Sequence, residues 1–229
     1  MKKNVLITGA SGNLGKATVD KFLKEDYNVL ATVTPGKTLG FPAPGVQLYE
    51  ADLTDENSVN VVVKQIIADH SALHAALLLV GGFAPGTIQN TDGLLLKKML
   101  SLNFDTAYFV ARPVFQQMLT QADGGRIVLV GARPALQPKE GKNTLAYALS
   151  KSLIFKLADF LNAEGSSKNV TTTVIVPSTI DTEANRNAMA DKDFTAWVKP
   201  AEIAEAIAFL CSDNGKPLRD TVLKIYNRA

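Results

Sequence analysis

The chain has 229 residues, 46% hydrophobic and 20% charged, with a formal net charge of +2, the make-up of one domain over residues 1–229 large enough to bury a core on both faces of a sheet. The small charge, with lysines scattered among acids, excludes nucleic-acid and membrane partners and leaves a small-molecule substrate. Cys211 is the one cysteine, so no intramolecular disulfide and no metal site is expected, and its apolar helical setting suits a small core residue.

Met1-Lys2-Lys3 runs directly into Val5-Leu6-Ile7-Thr8-Gly9. That stretch is too short for a secretory leader, so residues 4–8 read as a buried strand and the expected location is cytoplasmic. The turn Thr8-Gly9-Ala10-Ser11-Gly12-Asn13-Leu14-Gly15 follows, and then a helical pattern over 16–24. Its glycines allow a tight strand-to-helix turn, close approach of backbone to a pyrophosphate and close packing of the next helix, whose N-terminal amides favour an anion. Gly9, Ser11, Gly12, Asn13, Leu14 and Gly15 are therefore candidate dinucleotide contacts, against the plainer reading of a tight turn that binds nothing.

The second strand, 28–33, ends in Thr32-Val33-Thr34. A carboxylate there would hydrogen-bond an adenosine ribose and repel a 2′-phosphate. None is present, and Lys37 can reach a phosphate as a point charge. Thr32 and Lys37 thus lean the cofactor toward NADP(H), with NAD(H) or dual use open and Lys37 otherwise a solvated loop lysine. Residues 34–45, with three prolines and three glycines, read as a surface excursion. After a third strand, 46–49, come Asp52 and Leu53. Asp52 either accepts from an adenine amino group or caps the following helix near Thr54 and Asp55.

The longest apolar run, Leu73 to Val80, is interrupted by His74 and falls well short of the roughly 20 residues of a membrane span. Residues 75–80 read as a fourth strand, after which Gly81-Gly82 lets backbone pass beside a nicotinamide ribose or simply ends the strand. A fifth strand, 126–130, leads into Gly131-Ala132. The helix over 144–162 puts Leu145, Leu149, Leu153, Leu157 and Leu161 on one stripe facing the core or a partner. A sixth strand, 170–176, precedes the polar segment 178–197, which lies where open parallel sheets bind ligands and reads as a substrate-covering loop. Pro200 opens a last amphipathic helix, and 222–226 is a seventh strand. Such alternation of short apolar runs with helical patterns signals a parallel sheet covered on both faces.

Tyr147 and Lys151, in Tyr-Ala-Leu-Ser-Lys, share one face of the 144–162 helix. An ammonium beside the phenol lowers a pKa that starts at about 10, making Tyr147 a general acid, a role typically worth about 10² to 10⁴ in rate. Tyr27, Tyr49 and Tyr108 have no lysine four residues on.

In these residues the chain resembles the short-chain dehydrogenase/reductase family over nearly its full length. The resemblance implies an α/β fold of the Rossmann type, doubly wound, with a seven-stranded, mostly parallel sheet and helices on both faces, and NAD(P)H-dependent oxidoreductase activity. It implies that Lys151 also holds the nicotinamide ribose. Asn103, in Ser101-Leu102-Asn103-Phe104, would hold a water in the proton relay, or more plainly satisfy a helix kink, while Ile180 and Thr182 would contact the carboxamide and Pro177 would open the same cofactor-binding segment. It further implies a homodimer or homotetramer built on helices near 103–117 and 144–162.

The family's usual serine, which donates to a substrate carbonyl, falls at or next to Ala132, where no donor exists. The dihydropteridine reductase branch of the family shares this property. The segments Val80-Gly81-Gly82-Phe83-Ala84, Gly131-Ala132-Arg133-Pro134-Ala135-Leu136 and Asp181-Thr182-Glu183-Ala184-Asn185-Arg186 through Phe194-Thr195-Ala196-Trp197 are similar to that branch, although Val33 stands where it has an acid and Asn103 matches the wider family instead. A quinonoid dihydropterin-like acceptor, which needs little help at an oxygen, is the implied substrate. Two alternatives stay open: a carbonyl reductase in which Ser150, Ser178 or a water replaces the donor, and a nucleotide-binding regulatory protein without turnover. Trp197 either lies over a flat heterocycle or anchors its loop.

Overall fold

The alternating apolar runs and helical patterns become strands and helices in a computed structural model that describes residues 2–219 and 222–228; Met1, which heads the expected N-terminal segment, lies outside them. In chain order these are β1 Asn4–Thr8, α1 Asn13–Lys24, β2 Asn28–Val33, β3 Val46–Glu50, α2 Glu56–His70, β4 Ala75–Leu78, α3 Gly93–Leu100 and α4 Thr106–Thr120. Then follow β5 Gly125–Val130, α5 Arg133–Leu136, α6 Pro138–Gly141, α7 Leu145–Gly165, β6 Val170–Pro177, α8 Glu183–Ala188, α9 Pro200–Cys211 and β7 Val222–Ile225.

The strand order is β3-β2-β1-β4-β5-β6-β7. All six pairings are parallel, where the sequence left room for a mixed sheet. The order reverses between β1 and β4, and the cleft of such sheets opens at that point, beyond the strands' carboxyl ends. Two cores cover the sheet. One packs α2, α4 and α7 against residues such as Leu6, Leu30 and Leu129; the other packs α1 and α9 against Val5, Ile7 and Ala31. Phe22 of α1 is fully buried, and a side chain of that size stabilises by roughly 1.5–3 kcal/mol on burial. The thiol of Cys211 is buried in the second core, and burial pushes it up to about 12.

Several boundaries differ from expectation. β4 stops at Leu78, two residues early, because the Leu79 N–H leaves the ladder for Thr8 Oγ1 at 3.2 Å. The leucine stripe of α7 splits: Leu157 and Leu161 are buried, whereas Leu149 and Leu153 are 47% and 38% exposed. A four-residue repeat drifts about 40° per step against 3.6 residues per turn, so one end of the stripe rotates out of the core. Residues 34–45 are not wholly a surface excursion, because Leu39 is buried in the second core and Lys16 lies 5.3 Å over the Phe41 ring. Segment 178–197 carries α8 and its own clasp. Asp181 holds Arg186 through two bonds of 2.6 and 2.8 Å, Arg186 sits over Phe194, and Phe194 packs on Trp197. Trp197 is 5% exposed, so it anchors the segment and does not present a face to a heterocycle. At the entry to β4, His74 Nδ1 accepts the Asn4 N–H at 2.9 Å.

Candidate active site

The glycine turn is built by sterics. Gly9 has φ +68, and a Cβ there would come within 3.1 Å of Leu79 backbone; a Cβ at Gly15 would sit 2.1 Å from the Gly9 carbonyl. Helix α1 therefore packs directly on the end of β1. Its N-cap, Gly12, supplies no side-chain acceptor and its first turn holds no acid. The leading amides, at Asn13 and Leu14, consequently have no capping group and face outward with the positive end of the helix dipole.

Beside this turn lies a cleft of about 350 Å³ whose wall joins Gly9, Ser11, Gly12, Thr32, Asp52, Leu53 and Gly81 from distant parts of the sequence. Asn13, Leu14 and Gly15 open α1 directly after the Gly12 edge of that wall, and they, like Lys37, Gly82, Pro177, Ile180 and Thr182, are not part of it. Thr34, Ala51, Val80, Leu102 and Thr106 line it without having been singled out. Leu102 reaches it from a π-helical turn, Ser101–Asp105, and Thr106 from the first residue of α4 just after it; the wider π turn shifts the face in a way no i, i+4 pattern reveals. Thr32 Oγ1 is buried at the cleft with no hydrogen-bond partner.

The two readings of Asp52 separate. The cap of α2 is Asp55, which accepts from the amides of Asn57 and Ser58. Asp52 uses Oδ1 on Thr54 N and Oγ1, at 2.9 and 2.7 Å, and those bonds hold its exposed carboxyl below the usual carboxylate range. Pro177 ends β6, Ile180 bridges to Val198, and Thr182 is the N-cap of α8, accepting from Asn185 N at 3.2 Å.

Tyr147 and Lys151 sit on the first turns of α7, and Lys151 is 4% exposed. Its ammonium donates to the Val130 carbonyl at 2.8 Å. Gly81 passes so close that a Cβ there would lie 3.1 Å from Lys151 Nζ and 2.8 Å from Asn103 Oδ1. Burial lowers Lys151 to about 8 and raises Tyr147 to about 12. The sequence suggested a lowered tyrosine; in the free chain desolvation outweighs the neighbouring ammonium, which is turned to Val130. The Tyr147 ring meets Phe83 edge-on, with centroids 5.2 Å apart.

Asn103 is completely buried in the π turn. Its Oδ1 accepts from Gly82 N at 2.9 Å, while Nδ2 donates to Gly82 O and to Ser150 Oγ, both at 3.0 Å. Both amide protons are thereby used, so this side chain has no proton left to offer a water. Ser150 Oγ in turn donates to the Tyr147 carbonyl at 2.8 Å. Ala132, two residues beyond β5 and the N-cap of α5, is 4% exposed, and Ser178, just beyond β6, donates its hydroxyl proton to Tyr226 O at 2.8 Å.

A doubly wound parallel sheet with an uncapped helix amide turn at its switch point, and a tyrosine-lysine pair four residues apart on the helix after β5, defines a nicotinamide-dependent oxidoreductase. The family model for short chain dehydrogenase matches residues 3–193, and the chain belongs to that family. Dihydropteridine reductase of Dictyostelium discoideum is 26% identical over 235 residues, covering 100% of this chain and 96% of its own. Acetoacetyl-CoA reductase of Acinetobacter sp. (strain RA3849) is 24% identical over 241 residues, covering 98% and 96%. Among solved structures, ElxO with NADP bound superposes with a TM-score of 0.89 at 24% identity, over 98% of this chain and 97% of that one. Relatives at similar identity act on different substrates, so likeness alone stops at the class of reaction. No helix among the described residues is long and apolar enough to cross a membrane.

Proposed function

We propose that this oxidoreductase reduces a quinonoid dihydropterin or a similar conjugated acceptor, with Tyr147 as proton donor and Lys151 as its activator. The observation that carries this reading is the lack of a hydroxyl donor where carbonyl chemistry needs one. Ala132 has none, and the protons of Ser150 and Ser178 are already given to the Tyr147 and Tyr226 carbonyls. A carbonyl acceptor would develop negative charge on oxygen with no serine hydroxyl beside Tyr147 to share it. A quinonoid ring spreads the incoming electrons over its nitrogens and needs only a proton.

The cleft suits a nicotinamide dinucleotide. The free amides at the start of α1 match a pyrophosphate, the glycines leave space that a Cβ would fill, and Thr32 Oγ1 awaits a partner. Ser11, Gly12, Asn13 and Leu14 would hold the phosphates, Asp52 and Leu53 the adenine, and Gly81, Gly82, Lys151, Pro177, Ile180 and Thr182 the nicotinamide half. Once bound, the reduced nicotinamide supplies a hydride. Burial keeps the Tyr147 phenol protonated until the acceptor arrives, and Lys151, at about 8, stays charged at neutral pH. Asn103 acts by holding Gly82 and, through Ser150, the backbone that carries Tyr147. The missing acid at the end of β2, with Lys37 in the next turn, favours NADP(H), with NAD(H) also accepted.

Assembly follows from the other end of α7. A groove of about 490 Å³ between α4 and α7 is lined by Phe104, Tyr108, Leu153 and Phe160, and Phe160 is 73% exposed. A second copy of the chain covers it, giving a dimer or tetramer. Size-exclusion chromatography with light scattering checks this, with Phe160→Glu expected to yield monomers.

The deciding experiment follows oxidation of NADH and NADPH, in parallel, by the purified protein given quinonoid 6,7-dimethyl-dihydropterin, with Tyr147→Phe as control. Turnover that the variant loses supports the reading. Intact cofactor binding without pterin turnover, but with reduction of simple ketones, replaces it with a carbonyl reductase.

A further inference from the structure

Glu50, the last residue of β3, lies in parallel register beside Val33, the last residue of β2. The chain leaving β2 folds into a turn in which Lys37 N–H returns to the Thr34 carbonyl at 2.9 Å, with Pro35 and Gly36 at its centre and Gly36 at φ +72. Proline followed by a positive-φ glycine is the sequence of a type II turn. The Gly36 N–H of that turn donates to Glu50 Oε2 at 3.1 Å. The neighbouring bond from Ala51 N to Val33 O, 2.9 Å, ties this arrangement to the cleft, since Val33, Thr34, Ala51 and Asp52 all line it.

A backbone N–H that donates to a carboxylate can equally donate to a phosphate oxygen. The carboxylate that the end of β2 lacks is thus supplied from the adjacent strand, and it occupies an amide in the same turn as the exposed Lys37. One group repels a 2′-phosphate and blocks a donor; the other attracts it.

We propose that Glu50 is a cofactor-specificity residue, whose charge and hold on the Gly36 amide offset Lys37 and keep the chain able to use NADH as well as NADPH. The inference rests on the reading of the cleft as a dinucleotide site. Glutamine at this position keeps an oxygen for the Gly36 N–H while removing the charge, so the turn is preserved and the electrostatic role is isolated.

The test is calorimetric titration of NAD⁺ and NADP⁺ into the full chain and its Glu50→Gln and Lys37→Ala variants, with no turnover required. Glu50→Gln is expected to tighten NADP⁺ about tenfold while NAD⁺ changes by less than about threefold; Lys37→Ala should weaken NADP⁺ selectively. An unchanged ratio of the two affinities in Glu50→Gln, with both cofactors still binding, overturns the role of Glu50 alone. Failure of wild type to bind either cofactor overturns the dinucleotide reading and this inference with it.

Discussion

Asn103 grips Gly82 by both of its backbone groups, accepting the N–H at 2.9 Å and donating to the carbonyl at 3.0 Å. One side chain thereby fixes the turn after β4 to the π turn before α4, and its third bond reaches Ser150 on α7. Asn103→Ala leaves these groups buried without partners, each costing about 1–3 kcal/mol. A drop in Tm of roughly 4 °C or more is expected for a chain of this size, together with reduced turnover. A melting curve within a degree of wild type would remove the positioning role.

Tyr147→Phe keeps the ring that packs on Phe83 and the backbone carbonyl that accepts from Ser150. Only the proton donor is lost. Turnover should fall by about 10² to 10⁴ while cofactor affinity stays within about twofold. Equal losses in rate and in cofactor binding, measured by stopped flow and calorimetry, would sink the assignment.

Ala132→Ser tests the substrate argument by restoring a donor at the end of β5. Loss of one such donor commonly costs about 10² to 10³ in rate, so a gain of at least about tenfold in ketone reduction is expected, with little change for the quinonoid acceptor. A parallel gain for both substrates would mean that the empty position does not select between them.

Lys151 has a folded pKa of about 8 against roughly 10.4 unfolded, so its buried charge destabilises the free chain at neutral pH. Lys151→Met should therefore abolish turnover yet melt no lower than wild type. Because the lysine pKa is depressed by folding, wild type recovers stability as pH rises from about 8 to 10 and loses it as pH falls. The advantage of the variant is accordingly full below pH 8 and fades above it. An advantage that does not change between pH 7 and 10 would contradict the burial argument.

His74 must be neutral at Nδ1 to accept the Asn4 amide, and burial, with Lys3 nearby, lowers its pKa. The unfolded state binds the proton first, so this contribution is present above about pH 6.5 and is lost as pH falls through the folded value. Melting of wild type should decline more steeply between pH 7.5 and 5.5 than melting of His74→Gln, whose carbonyl can still accept. Parallel slopes would assign the acid sensitivity to other groups.

Short apolar runs and helix periodicity made the seven strands and the course of α1, α7 and α9 legible, because a strand buried on both faces, like β1, β2 or β6, is a continuous apolar stretch and period-3.6 burial is equally local. Gly9 and Gly15 were legible for the same reason: a strand meeting a helix so closely tolerates nothing larger. Where an element ended was less so, as at Leu79, whose amide turns to the side chain of Thr8, a residue 71 positions away.

By itself the amino-acid sequence determined the class of fold, the glycine turn, the tyrosine-lysine spacing and the want of a serine at Ala132, all of which are carried by neighbouring residues. Only the tertiary structure decided what those groups touch. It turned the Lys151 ammonium to Val130, spent the Ser150 and Ser178 protons, buried Trp197 and brought Glu50 across to Gly36. Each outcome depends on which distant atom lies within about 3 Å in a close-packed interior, a matter of strand order and packing that no local pattern encodes.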